Sequence, residues 1–505
     1  MVQITLLPMG ETLEVAPGST LQDHLFAHGV EFPCGGRGLC KGCKVRILKG
    51  SLPDSVEDRQ RLTPREIADG WRLACRAKVD QDLTLDLAQW EAAILSDDTP
   101  FAFTPQQGRG IAVDLGTTTI VAQLLDLQTG HVLGVRTALN AQARHGADIM
   151  SRVEFAVAER GQQRLETLVR TQLSELAREL LESVAGPAIP LKRVVIVGNT
   201  VMHHLFCGVN LEPLSQYPFE PVSPGLHRFA AGDLGWELPG NPEVVFLPCL
   251  GGFVGSDILA GILATRLHES ESLVALMDLG TNGEIVVGNR ERMLCASTAA
   301  GPAFEGARIS MGMRAATGAI AEVHVEQGRL RCHVLGSGEA RGICGSGLVD
   351  AVAAGLDLGL IRPNGRIAVG ESLDLVPPVK LVPWDIRELQ LAKGAIAAGL
   401  RILLQEWGAT LTSLQAVYLA GAFGNYINQN SGRRIGLFNS APGQIQPVGN
   451  SALLGAKIAL FSFPKQDGSY PEILQRVKHV PLNEIPAFEE VYVKEMTFPG
   501  AAQSD

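Results

Sequence analysis

The 505-residue sequence predicts a small α+β unit followed by two layered α/β lobes, and three observations carry that expectation. Roughly the first 90 residues hold short alternating apolar runs and one short helical pattern. From Gly110 onward, apolar strands alternate with helical segments, the pattern of layered α/β architecture. The tetrapeptide Asp-Leu-Gly-Thr occurs twice, at Asp114–Thr117 and Asp278–Thr281, each time after an apolar strand and before another, which predicts two lobes built alike.

The first unit opens with the alternation Val2, Ile4, Leu6 and continues with Thr12 to Val15 after the Gly10 turn, a hairpin pattern. Thr20 and Asp23 have the spacing of a capping box, Leu21 and Leu25 share a helical face, and Gly29 is the expected stop. Lys44 to Lys49 and the run Leu83, Leu85, Leu87 supply later strands. Turn-forming residues such as Asp97-Asp98-Thr99-Pro100 and Thr104-Pro105 then predict a linker. Strands are expected at Ile111–Val113, Ile120–Leu125, Val194–Val197, Val244–Leu247, Val274–Met277, Ile285–Val287 and Ala416–Leu419. The clearest helix runs from Gln162 to about Val184, where Leu165, Leu168, Val169, Leu173, Leu176 and Leu180 recur at helical spacing. The expected division is 1–90, a linker 91–109, lobes 110–270 and 271–465, and a tail 466–505.

Composition excludes whole classes. Lysine plus arginine number 43 against 53 acidic residues, a formal charge of -10, which argues against a nucleic-acid stripe or a cationic membrane face. With 46% hydrophobic and 19% charged residues the chain buries a core and is not disordered. No apolar run of about 18 residues occurs and the N-terminus lacks signal-peptide character, so a cytoplasmic location is expected.

Four of the nine cysteines fall early: Cys34, Cys40, Cys43 and Cys75. Three ligands on one loop and a distant fourth suit an iron–sulfur cluster, which a loop must wrap and another strand close. The loop glycines Gly35, Gly36, Gly38 and Gly42 let the backbone curl and turn N–H groups toward the sulfides. A structural zinc site is the alternative, although it usually needs two paired knuckles and only Cys40–Cys43 forms one.

In each repeated turn a strand ends at an aspartate and passes through glycine with polar neighbours: Asp114, Gly116, Thr117, Thr118, and Asp278, Gly280, Thr281, Asn282. Such hairpins can aim backbone and hydroxyl donors at phosphate oxygens while the aspartates hold Mg2+ directly or through water. Neither a Walker loop nor a Gly-x-Gly-x-x-Gly fingerprint is present. Downstream, Gly345, Ser346 and Gly347 precede an apolar helix pattern, and Gly421, Ala422, Phe423 and Gly424 follow a strand; both are candidate nucleotide contacts. Asp257 and Glu284 are candidates for orienting an attacking water. Adjacent His203 and His204 invite a metal or corrinoid-ligand reading, but neighbours on a helix diverge by about 100°, so packing is the expected role.

Two resemblances follow from these residues. Pro33–Cys43 together with Leu73-Ala74-Cys75 is similar to the 2Fe–2S ferredoxin family with its β-grasp fold, over about 90 residues; five residues rather than four separate the first two ligands, which disfavours the plant-type subclass. The paired hairpins, with connecting segments at Gly198–His204 and Val448–Gly455, resemble the two-lobed ATPases of the acetate and sugar kinase, Hsp70 and actin superfamily. That resemblance makes Asp114 and Asp278 the two phosphate loops, Gly421–Gly424 the adenosine loop, and the connecting segments a pair of helices crossing closely between lobes.

The fusion of both modules resembles, over nearly the whole chain, the reductive activators of corrinoid proteins. The resemblance implies ATP-dependent transfer of one electron from a 2Fe–2S cluster to Co(II), restoring Co(I), with ATP and Mg2+ as further cofactors. It also implies a corrinoid protein and a low-potential electron donor as partners, leaving a homodimer open, and the linker of about 20 residues is shorter than the linker and middle domain of some members. Other readings are an ATP-driven activator of a different low-potential enzyme, a kinase with a redox regulatory head, and an Hsp70-like binding protein.

Overall fold

The computed structural model describes all residues except 8–10, 26–27, 29, 31–37, 39–42, 88–98, 147, 185–188, 317, 337–338, 439–442, 463–469 and 501–505. Among the predicted features, Gly10, Gly29, Cys34, Cys40, Gly35, Gly36 and Gly42 lie outside the described residues.

The N-terminal unit is a five-stranded sheet in the order Glu11–Val15, Val2–Leu7, Leu83–Leu87, Lys44–Lys49, Trp71–Leu73. Val2–Leu7 pairs antiparallel with Glu11–Val15 and parallel with Leu83–Leu87, so the first and last strands of the unit lie side by side. Alternation places Ile4, Leu6, Val45, Leu83 and Leu85 in one buried core with Leu21 and Leu25 of the short helix Leu21–Leu25. The Thr20 hydroxyl bonds the Asp23 carboxylate at 2.5 Å at the start of that helix. Two further short helices, Val56–Arg61 and Pro64–Ala68, each open with a complete capping box, Ser55 with Asp58 and Thr63 with Glu66.

Each lobe contains a six-stranded sheet. The first runs Val132–Leu139, Thr119–Asp126, Arg109–Leu115, Leu191–Val197, Glu243–Phe246, His227–Ala230; the second runs Ile445–Pro447, Ala416–Ala420, Val274–Leu279, Gly283–Gly288, Met293–Thr298, Val477–His479. In both, an antiparallel three-strand meander carries a parallel strand on the open side of its first member. The duplicated tetrapeptide thus marks duplicated architecture, and every expected strand lies within a residue of an observed one.

The helices Ser256–Thr265 and Ser451–Ser462 lie between the two sheets, sharing a core with Val195, Val245, Leu276 and Val286. They cross so closely that a Cβ on Gly455 would stand 2.0 Å from the Ala260 carbonyl oxygen. This corrects one expectation: the helix after Gly198, Thr200–Cys207, does not make that crossing. It packs instead on Gln162–Glu182, where Arg170 donates to the Phe206 carbonyl at 2.8 Å. The partner of the Gly455 helix begins at Ser256.

The long helix Pro383–Trp407 is absent from the sequence-based expectation because it is buried on several sides, with Leu389, Ala392, Ile396, Leu400 and Leu403 among its core residues, so no single stripe stands out. The expected linker is anchored at its C-terminal end: Phe101 and Phe103 pack on Phe461 with ring centroids 5.4 and 4.5 Å away. Val477–His479 pairs with Met293–Thr298, and Ala487–Glu495 lies on Pro383–Trp407, so residues beyond 466 complete the second lobe.

Candidate functional site

The two repeated turns face each other across a cleft of about 270 Å3. Its lining includes Asp114, Gly116, Thr117, Thr118, Asn199, Asp257, Asp278, Gly280, Thr281, Asn282, Glu284, Glu305, Gly421 and Asn450. Each turn joins two antiparallel strands, closed by Gly116 N–H to Thr119 O at 3.1 Å in one and Gly280 N–H to Asn282 O at 3.0 Å in the other. All eight residues predicted for the two turns therefore converge, together with both candidate water-orienting carboxylates.

Five acids line this cleft, and four of them, Asp114, Asp257, Asp278 and Glu284, act on one another. Burial pushes Asp114 up to about 6, opposed by the hydrogen bond from Asn450. Burial and then Asp114 push Asp278 up to about 7. Burial followed by Asp278 and Asp114 pushes Asp257 up to about 8. Glu284, opposite Asp278 in the strand register, is raised well above its ordinary value by burial, Asp257 and Asp278. Like charges this close oppose joint ionisation, so the donor set fits a hard divalent cation that restores the charged forms.

The sign of the resulting pH effect follows. Raised carboxylate pKa values mean that the folded chain binds more protons than the unfolded one between about pH 4 and about pH 8, so stability falls as pH rises through that window. Thermal denaturation across this range should show that fall. Asp257→Asn should flatten it, and a saturating divalent cation with nucleotide should do the same; an unchanged slope in the variant would refute the assignment.

Several supporting residues were not legible as site residues. Asn199 caps the helix Thr200–Cys207 by accepting from Met202 N–H at 3.0 Å, and its Nδ2 donates to Thr117 Oγ1 at 2.8 Å. Asn450 accepts from Leu453 N–H at 2.8 Å and donates to Asp114 Oδ2 at 3.0 Å. An asparagine at the start of each of two helices thus grips the same loop. Asn140 binds it from behind, with N–H to Thr118 O at 2.8 Å and Nδ2 to Gly116 O at 2.9 Å, and the buried Arg152 guanidinium donates to the Thr117 carbonyl. In the second lobe Thr281 Oγ1 donates to Glu305 Oε1 at 2.7 Å. Asn140 caps the short 3-10 turn Ala141–Arg144 and Arg152 lies in the helix Ile149–Ala158, both distant in sequence from the Asp114 turn, so only folding reveals their role.

The remaining candidates lie elsewhere. Gly421 lines the cleft, with φ of 81° and room for no side chain: a Cβ would stand 2.6 Å from Asp278 Oδ1. Phe423 turns into the core, stacked on Phe304 with centroids 4.4 Å apart, and Gly424 is buried against Leu419; the Ala422 side chain lies outside the described residues. Gly345, Ser346 and Gly347 do not appear in the cleft lining. A Cβ on Gly345 would meet the Phe304 carbonyl oxygen at 1.7 Å and one on Gly347 the Ile320 oxygen at 2.1 Å, so these glycines allow the helix Gly345–Asp357 to abut backbone. Ser346 donates to Ala321 O at 2.9 Å. His203 and His204 are fully buried in lobe I, and burial holds them down to about 3 and about 4.

In the N-terminal unit Cys43 and Cys75 are buried side by side. Lys44 pairs with Leu73, which brings Ala74 N–H to the Cys43 carbonyl at 3.0 Å and places the distant fourth cysteine beside the end of the loop. Buried Asp58 braces that strand, accepting from Leu73 N–H at 2.7 Å and from Ser55 N–H at 2.7 Å. Two thiol-bearing positions braced on neighbouring strands, beside a loop carrying two more, fit an iron–sulfur cluster.

Comparison with known proteins agrees with this geometry. Residues 4–80 match the 2Fe–2S iron–sulfur cluster binding domain, residues 109–270 the RACo middle region, and residues 272–504 the C-terminal domain of RACo, the ASKHA domain. The middle-region match corrects the expected shortening, because that region is present as the first lobe. The corrinoid activation enzyme RamQ of Eubacterium limosum is 35% identical over 425 residues, covering 77% of this chain and 70% of RamQ. The [Co(II) methylated amine-specific corrinoid protein] reductase of Methanosarcina barkeri is 27% identical over 430 residues, 77% of each chain. A solved structure, the reductive activator for corrinoid, iron-sulfur protein, superposes with a TM-score of 0.68 at 25% identity over 99% of both chains. Cysteine-bearing head, paired hairpins and matched relatives lead to one conclusion: the chain belongs to the family of reductive corrinoid activators.

Proposed function

We propose that this protein regenerates the Co(I) form of a corrinoid protein, transferring one electron to inactive Co(II) at the expense of ATP. The observation that carries this reading is the union, in one chain, of a cysteine-bearing head with a cleft whose two phosphate-loop hairpins face each other. The cluster supplies a one-electron store when bound at Cys34, Cys40, Cys43 and Cys75. The carboxylates Asp114 and Asp278 would hold Mg2+ directly or through water, and the two turns with Thr117, Thr118, Thr281 and Asn282 would orient the ATP phosphates. Asp257 and Glu284 lie in the same cleft, where either can accept a proton from an attacking water. Uphill one-electron transfer costs about 1.4 kcal/mol per ~59 mV, so a few hundred millivolts lie within reach of a nucleotide-driven cycle. Among the described residues no helix is long and apolar enough to cross a membrane.

The head touches both lobes. Leu139, Ala141 and Ala143 of the first lobe pack against its core, flanking the Asn140 that binds the phosphate loop, and Arg341 of the second lobe pairs with Asp86 at 2.7 Å. Relative movement of the lobes around a nucleotide therefore changes how the head is held. Arg341→Glu sets two like charges together and should lower ATP-stimulated cobalt reduction roughly three- to fivefold while ATP hydrolysis stays within about twofold, because a part-exposed pair is worth ~0.2–1 kcal/mol and its reversal adds repulsion. Equal loss of both activities would argue against this coupling.

The direct test mixes the reduced protein with a Co(II) corrinoid protein under anaerobic conditions and follows Co(I) absorbance with and without ATP. ATP-dependent appearance of Co(I) is expected; equal reduction without nucleotide would reject the coupling, and phosphorylation of a small hydroxyl compound would favour the kinase reading.

A further inference from the structure

Lobe I contains a second group of metal-binding side chains, remote from the cysteine loop in sequence. A ring nitrogen of His203, Sγ of Cys207 and a ring nitrogen of His227 lie within 4.8 Å of one another. His203 and Cys207 are four residues apart on the helix Thr200–Cys207, hence on one face, and His227 begins the strand His227–Ala230. The His203 and His227 rings meet edge to face with centroids 5.1 Å apart.

Each ring is oriented by a backbone carbonyl. His203 Nε2 lies 3.0 Å from Gly225 O, and His227 Nε2 lies 3.3 Å from Ser223 O with Ser223 Oγ also at 3.3 Å. A carbonyl only accepts, so His203 Nε2 carries the proton and its Nδ1 keeps its lone pair, whereas His227 Nε2 either donates to Ser223 O or accepts from the Ser223 hydroxyl. His203 Nδ1 stands 3.3 Å from His204 Nδ1, whose proton is already directed at Thr200 O 2.9 Å away. Carbonyl-anchored imidazoles are the usual outer support of metal-binding histidines. Around a zinc ion, bonds near 2.0–2.3 Å set ligand atoms about 3.5 Å apart, so closing the observed group requires a shift of about 1 Å, within reach of side-chain rotation.

We propose that His203, Cys207 and His227 form a binding site for one divalent ion of zinc type, with water or a further ligand completing a tetrahedron. Binding exchanges the Cys207 thiol proton for the metal and releases it to solvent. The ion ties the end of the helix Thr200–Cys207 to the segment 216–227. That segment carries exposed Tyr217 and Val222, and the helix begins at the Asn199 that grips Thr117. The site acts as a clamp in the first lobe, and its existence does not depend on the reductase reading.

The test uses the full chain with its cluster loaded, so that Cys34, Cys40, Cys43 and Cys75 are occupied, treated with chelator and then titrated anaerobically with Zn2+ or Co2+. One zinc per chain should remain after dialysis, and Co2+ should give a thiolate-to-cobalt charge-transfer band. Cys207→Ser should abolish the band and weaken zinc binding at least tenfold; His227→Gln should weaken zinc binding to the same degree; Cys332→Ser, in the second lobe, should leave both unchanged. Circular dichroism melting of each variant identifies misfolding, and His227→Gln on a half-buried strand tests the site even if Cys207→Ser unfolds. Absence of retained zinc in the native chain, or retention in both ligand variants, would overturn the proposal.

Discussion

Asp278→Asn is expected to lower ATP turnover by a hundredfold or more while leaving the cluster absorption intact, and cobalt reduction should fall to its nucleotide-free level. Asp278 lies near the end of the strand Val274–Leu279 at the second repeated turn, faces Glu284 in the register and lies against Gly421, so it stands where the two lobes meet across the cleft. Asparagine keeps the size and hydrogen-bonding capacity but removes the charge that a cation and a developing phosphate charge require; losses of about 10²–10³ are typical when one such electrostatic element is removed. Stability should move the other way. Because burial and Asp114 disfavour the charged form of Asp278, the neutral side chain relieves repulsion, and the melting temperature of the nucleotide-free protein above about pH 7 should be equal or higher. Lower activity with unchanged or greater stability separates a functional role from simple unfolding; full ATP turnover in the variant would remove Asp278 from the site.

Cys75→Ser should produce the complementary result, with cobalt reduction lost by at least a hundredfold and ATP hydrolysis within about twofold of normal. Cys75 follows the strand Trp71–Leu73, whose pairing with Lys44–Lys49 sets it beside Cys43, and buried Asp58 braces that strand. Serine replaces a soft thiolate ligand by a hydroxyl that holds iron poorly, so iron and sulfide content should fall together. Iron and sulfide analysis of the native protein distinguishes the zinc alternative: one zinc with no sulfide at the four cysteines would refute the cluster. The two variants together test whether electron storage and nucleotide turnover reside in separate parts of the chain.

Much of this division was legible in the residues. Cysteine spacing pointed to a cluster domain because ligands on one loop leave a local signature, and residues 4–80 match such a domain; Asp114–Thr117 and Asp278–Thr281 identified two turns because a turn is specified by a few consecutive residues. Gln162–Glu182 was readable because one face is apolar and the other wet. Pro383–Trp407 escaped because burial on several sides erases that contrast. The glycines at 345 and 347 show a related limit: absence of a side chain signals close approach, but what approaches depends on the neighbouring element, here the Phe304 and Ile320 carbonyls.

By itself the sequence determined the candidate ligands, the two hairpin turns and the kinship between the lobes, all properties of short stretches of chain. Only the tertiary structure decided that Ser256–Thr265, and not the helix after Gly198, crosses Ser451–Ser462. It alone brought Asn140, Arg152, Asn199 and Asn450 to the turn at 114–118, and set four carboxylates close enough to repel. The reason is that charge repulsion and close packing act through space between segments distant in the chain, and which segments meet is set by sheet order and helix crossing.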